Sequence, residues 1–145
     1  MSRSARLQPL QRLAEQRENE AARAVADALR KLEEQRQQLQ GLNGFRHEYN
    51  ERFARDGQAG MSVGRMLDWR RFLARLDTAL EQQEEAITRA ELECERVKKL
   101  WVLSRRNSDT YDLLAERYRL DELQQQARSE QKESDEYAAR RPGGS

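Results

Sequence analysis

Apolar side chains recur at alternating steps of three and four residues on both sides of one short glycine-containing loop. Few folds accept that pattern. Upstream the series is Ala14, Glu18, Ala21, Val25, Ala28, Leu32, Gln35, Leu39, Leu42, Arg46, Tyr49 and Phe53, with nine of twelve apolar. Downstream it is Met66, Trp69, Leu73, Leu76, Leu80, Gln83, Ile87, Ala90, Cys94, Val97, Trp101, Ser104, Ser108, Tyr111, Ala115 and Tyr118, with thirteen of sixteen fitting. Spacing of this kind places a narrow apolar stripe along one face of a helix, the seam of a coiled coil. Beyond Tyr118 the phase is expected to shift to Leu113, Leu120, Leu123 and Ala127, where the apolar signal thins.

The break falls at residues 56–62, where Gly57 and Gly60 stand close together. Ser62 suits the N-cap of the following helix, and Met61 and Met66 occupy the positions of a hydrophobic staple. A loop this short obliges two long helices to lie antiparallel. The expected fold is all-α: a long antiparallel two-helix coiled-coil hairpin with a C-terminal helical overhang. We expect one domain over 1–145, with helix 1 at about 5–55, a loop at about 56–61, helix 2 at about 62–139 and a frayed tail at 140–145. A hinge near residue 59 or 60 would pair Phe53 near Met66 and Leu7 near Leu113, leaving residues after about 120 without a partner helix. At about 1.5 Å per residue the helices would reach roughly 75 and 110 Å, a rod with an overhang. Gly41 and Gly44 would each weaken the first helix by about 1 kcal/mol.

Composition agrees. Of 145 residues 37% are charged and 37% hydrophobic, and Pro9 and Pro142 are the two prolines, which suits long helices better than a thick globular core. Positive and negative charges nearly cancel, at 27 against 26, whereas disordered chains usually carry a large net charge. No apolar run is long enough to span a bilayer, and the first sixteen residues, with Arg3, Arg6 and Arg12, lack the apolar stretch of a signal peptide. A single cysteine, Cys94, excludes an intramolecular disulfide and points to the cytosol.

Counted in segments, residues 1–31 carry seven basic and four acidic side chains, 32–60 four and five, 61–100 eight and eight, and 101–145 eight and nine. Arginine outnumbers lysine 23 to 4, but interleaved carboxylates neutralise it, and nucleic acid is not expected as a partner. Catalysis is not expected either. His47 is the only histidine and lies on a polar stretch, and Cys94 sits on the seam. The segment from Gly57 to Arg65 lacks the Gly-Lys-Ser/Thr of a phosphate loop. Glu81, Glu84 and Glu85 read as a solvated face. We expect no enzyme, no cofactor, no metal and no small-molecule substrate.

One anomaly remains. The apolar arc is wider than a two-stranded seam needs. At about 100° per residue, Phe72, Leu76, Ala79 and Gln83 extend the arc of the second helix to one side. Gln38, Leu42, Phe45 and Tyr49 extend that of the first in the same rotational sense. Antiparallel packing brings both flanks to one side of the hairpin. Leu42, Tyr49 and Leu76 can pack in the seam, but Phe45, Phe72 and Ala79 are harder to bury between two helices, so a partner surface is expected there.

These residues resemble the FliJ family of flagellar proteins over nearly the whole chain, from Leu10-Gln11-Arg12-Leu13-Ala14-Glu15 through Ala138. Three pieces carry the likeness. The first is Gln38-Leu39 followed by Leu42, Phe45, Glu48 and Tyr49. The second is Gly60 and Arg65, then Arg71-Phe72, Leu76, Ala79 and Gln82. The third is Gln131-Lys132-Glu133-Ser134-Asp135-Glu136-Tyr137-Ala138, similar to the family's Gln-Lys-x-x-Asp-Glu-aromatic-Ala. The resemblance implies a non-enzymatic coiled-coil stalk of the flagellar type III export apparatus. Such a stalk inserts into the hexameric ring of a FliI-like export ATPase, contacts a FlhA-like membrane export gate and escorts export chaperones. It implies a cytoplasmic protein peripherally associated with the inner membrane. The family's gate-binding surface falls on Gln38, Leu42, Phe45, Tyr49, Phe72, Leu76, Ala79 and Gln83, and Gln131, Lys132, Asp135 and Glu136 form a further partner motif. Phe45 stands where the family often has Tyr. The stalk of an injectisome secretion system and a generic coiled-coil scaffold stay open as alternatives at this point.

Overall fold

The computed structural model describes residues 1–141. It consists of two helices, α1 (Arg3–Gln58) and α2 (Val63–Arg140), packed antiparallel as a hairpin. Pro9 lies within α1, where it lacks the N–H that would reach back to Ala5. The tail from Pro142 to Ser145, expected to fray, lies outside the described residues; Arg140 ends α2. No helix among the described residues is long and apolar enough to cross a membrane.

The connection is tight. Gly60 adopts φ 89°, the left-handed conformation that glycine enters at little cost, and its N–H donates to Gly57 O at 3.3 Å. Ser62 caps α2: its Oγ accepts from Arg65 N–H at 3.2 Å and its carbonyl from Met66 N–H at 3.0 Å.

Contacts divide into two units. In the loop-proximal unit, Ala22–Leu100, a buried cluster of Ala28, Leu32, Cys94 and Val97 is packed by Val25, Ile87 and Ala90. A polar layer interrupts it, where Gln83 Nε2 donates to Gln35 O at 2.9 Å and to Gln35 Oε1 at 2.7 Å. Those bonds occupy the Gln83 amide nitrogen and the Gln35 side-chain oxygen. Across the same seam Arg36 lies 3.8 Å from Glu91, an exposed pair of small energetic value.

The other unit comprises Met1–Ala21 and the described part of Trp101–Ser145. Leu7, Ala14, Ser108 and Ala115 are buried there. Gln11 Nε2 donates to Asp112 Oδ1 at 2.7 Å, and the Arg3 guanidinium lies 5.7 Å from the centroid of Tyr118. Glu122 closes the pairing by capping α1 from α2: it accepts from Ser4 N–H at 3.1 Å and Ser4 Oγ–H at 2.7 Å.

One expectation is corrected. The seam does not shift phase after Tyr118. Leu113, Leu120 and Leu123 are 69%, 55% and 61% exposed, whereas the seam continues through Ala115 and Tyr118 to Glu122. Hydrophobicity alone misdirects here, because a carboxylate satisfying the donors of Ser4 fits the last seam position better than a leucine. Cross-helix contacts bracket the expected reversal: Gln35 with Gln83 and Tyr49 with Trp69 centre on residue 59, and Phe53 with Trp69 on residue 61. Helix α1 runs to Gln58, which leaves only residues 59–62 for the connection.

Candidate functional site

On α1, Gln38, Leu42, Phe45 and Tyr49 follow spacings of four, three and four, and Phe72, Leu76, Ala79 and Gln83 do the same on α2. Both sets belong to the loop-proximal unit. Antiparallel packing joins them through their rings. Phe72 lies edge-on to Phe45 at 5.9 Å between centroids and tilted against Tyr49 at 4.2 Å, and Phe45 lies 6.3 Å from Tyr49. Tyr49 in turn meets Trp69 at 4.0 Å, and Trp69 meets Phe53. The result is a five-ring ladder, four of whose five contacts cross the seam. Offset and edge contacts of this kind add about 0.5–1.5 kcal/mol per pair beyond burial.

Exposure grades across the face. Phe45 is 49% exposed and Gln38 is exposed, whereas Leu42, Tyr49, Phe72, Ala79 and Gln83 are half-buried. Leu76 is 6% exposed and therefore belongs to the core, supporting the rings from beneath. Phe72 is less accessible than its flanking position suggests, because Phe45 and Tyr49 close over it. The Gln83 amide donates across the seam to Gln35, which leaves its own oxygen as the free polar group. Of the eight positions, Phe45, Tyr49 and Phe72 are brought together as a ring surface over the buried Leu76, and Gln38 is exposed.

Sequence reasoning placed Trp69 and Phe53 in the seam and missed that they extend the ladder. It also missed a strut. Arg46, a polar interruption of the seam, places Nε 3.0 Å from Asp77 Oδ1. That contact is an ion pair with poor hydrogen-bond alignment, since the buried Nε–H has no partner in good geometry. The detectable signal was the arginine itself, at a position where periodicity asks for an apolar residue.

Gln131, Lys132, Asp135 and Glu136 are exposed on the last turns of α2. Gln131 Nε2 donates to Asp135 Oδ1 at 3.0 Å, and the four residues share an open groove with Arg128 and Ala139. Among the described residues no group of three or more His, Cys, Asp or Glu side chains is arranged to hold a metal ion.

Fold and surface together define an all-α antiparallel coiled-coil protein that presents an aromatic face beside its hinge. The family model for the flagellar FliJ protein matches residues 2–145, and the chain belongs to the FliJ family. The Flagellar FliJ protein of Salmonella typhi is 26% identical over 140 residues, covering 97% of this chain and 95% of the relative. That of Escherichia coli (strain K12) is 25% identical over 140 residues, with coverage of 97% and 95%. Membership makes the chain a component of the flagellar export apparatus.

Proposed function

We propose that the chain is the cytoplasmic stalk of a flagellar type III export apparatus and acts by binding rather than by catalysis. In this reading it inserts into the ring of a FliI-like ATPase and links that ring to a FlhA-like export gate at the inner membrane. The gate would bind the face formed by Gln38, Leu42, Phe45, Tyr49, Phe72, Leu76, Ala79 and Gln83. Gln131, Lys132, Asp135 and Glu136 would meet a second partner, such as an export chaperone.

The observation that supports the gate surface is the half-exposed Phe45 ring, edge-on to Phe72 and tilted beside Tyr49. An aromatic side chain that remains 49% exposed beside a packed cluster has the character of an interface anchor. A shaft within a ring must turn without adhering to any one subunit. Interleaved exposed charges such as the Asp27, Arg30 and Glu34 set provide weak contacts, about 0–1 kcal/mol each.

Phe45→Ala is the cleanest test, since the ring is the least buried of the cluster. Its melting temperature should stay close to that of the parent, while affinity for the isolated gate linker falls tenfold or more, on the order of 1.4 kcal/mol or greater. Normal capture by a folded Phe45→Ala variant would refute this surface.

A further inference from the structure

The hairpin tip carries a charge that counting in long segments conceals. Residues 52–76 contain six arginines, Arg52, Arg55, Arg65, Arg70, Arg71 and Arg75, against two aspartates, a local charge of +4 in a chain whose total is +1. The nearest flanking carboxylates are engaged elsewhere: Glu51 lies 3.1 Å from His47 and Asp77 lies 3.0 Å from Arg46. Within the tip only Arg65 has an ion pair, a loose one with Asp56 at 3.8 Å. The other five arginines are exposed and have no carboxylate partner among the described residues.

Aliphatic side chains are exposed among them. Val63 is 75% and Leu67 46% exposed on the first two turns of α2. The spacing Val63, Leu67, Arg70, Arg71, Ala74 puts these five on one outward stripe. At about 100° per residue Val63 and Leu67 stand roughly 140–180° from Phe72, so this surface is separate from the aromatic face.

We propose that this tip docks on an anionic membrane surface. Val63 and Leu67 enter the headgroup layer, and Arg70 and Arg71 beside them meet lipid phosphates. Arginine suits the task, because its aliphatic stem lies along apolar surface while the guanidinium pairs with a phosphate in bidentate geometry. Charge alone would equally suit an acidic protein or a nucleic acid. A nucleic acid leaves exposed Val63 and Leu67 unused, and an acidic protein would need an apolar patch matched to them, whereas any anionic bilayer interface accepts aliphatic and cationic groups at neighbouring depths. The inference does not rest on the gate surface, since it uses other residues.

The test is cosedimentation of the full chain with phosphatidylcholine vesicles and with vesicles enriched in phosphatidylglycerol. Binding should appear only with the anionic vesicles and fall steeply at about 0.5 M salt. Arg70→Gln with Arg71→Gln should lower the partition coefficient roughly 25-fold, at about fivefold per arginine. Leu67→Ser should weaken binding without a change of charge. Arg17→Gln with Arg23→Gln, the same charge change on exposed positions elsewhere in α1, should leave it intact. Helical circular dichroism of each variant establishes that it is folded. Failure to sediment with anionic vesicles overturns the proposal, as does an equal loss in the Arg17/Arg23 control. An inert Leu67→Ser leaves only nonspecific attraction and overturns it too. Capture on polyglutamate beads without vesicle binding would reassign the tip to an acidic protein.

Discussion

Leu32 and Leu29 stand three residues apart on α1, and the same substitution at each should have very different consequences. Leu32 is 6% exposed in the cluster with Ala28, Cys94 and Val97, whereas Leu29 is 43% exposed. Leu→Ala removes apolar side-chain surface worth roughly 25 cal/mol per Å² where it is buried, and at a buried site it also leaves a cavity. Enclosed cores lose about 2–5 kcal/mol on this change. A cavity between only two helices is open to solvent on both flanks and partly relaxes, so the lower end applies, about 2–3 kcal/mol. Leu29→Ala should lose about 1 kcal/mol or less, and alanine's better helix propensity recovers a few tenths of that. Urea unfolding followed by circular dichroism at 222 nm measures both, with the change taken from the midpoint at constant slope. Equal destabilisation by the two variants would mean that the seam does not run through Leu32 and would refute the packing described above.

Glycine positions and the Glu122 cap provide further checks. A Cβ added at Gly41 or Gly44 meets nothing within 4 Å, so Gly41→Ala and Gly44→Ala should each raise the unfolding free energy by about 0.5–1 kcal/mol. Gly60→Ala should lower it by about 1 kcal/mol, because φ 89° is strained for any side chain; the same urea titration separates the signs. The Ser4 hydroxyl, and then the Ser4 N–H, hold the Glu122 carboxyl below its ordinary value. A depressed folded value means that the cap contributes fully above the ordinary carboxylate range and is lost as pH falls through the depressed value. A carbon NMR titration should place the Glu122 midpoint below that of a short glutamate peptide, and Ser4→Ala should move it upward; an unmoved midpoint would show that the cap does not form.

How much was legible from the sequence follows from what a period can encode. A three-four alternation fixes which side of a helix faces inward. All twelve α1 positions in the predicted seam, from Ala14 to Phe53, are buried or half-buried. On α2 Met66 is the exception at 36% exposed, being one turn from the hinge where α1 has ended. The period does not fix the axial offset between helices, which only the observed contacts settle. It also ranks Leu120 and Leu123 above Glu122, because a cap on another helix's first turn leaves no trace in hydrophobicity. The aromatic face was legible as excess arc width, but its ring contacts depend on the offset and emerge only from the structure. The charged tip was missed because a boundary at residue 60 divided its arginines between two nearly neutral segments.

A seam only two helices wide changes the relation between stability and binding. Among the described residues no large side chain is fully buried, and Tyr49 and Phe72 pack against each other while each keeps part of its surface in water. Such residues hold the hairpin together and form its surface at once. A partner that covers the rings therefore removes further apolar area from water beside a thin core. It stabilises the folded chain by mass action, about 2.7 kcal/mol at a free concentration one hundred times Kd. In a compact domain that increment adds to a large independent core. Here it adds to a cluster of Ala28, Leu32, Cys94 and Val97 and to the polar layer of Gln35 and Gln83. The loop-proximal unit is thus constructed so that occupation of its aromatic face and closure of its own seam reinforce each other. Phe45, exposed and peripheral to that closure, is the ring through which the two effects can be separated.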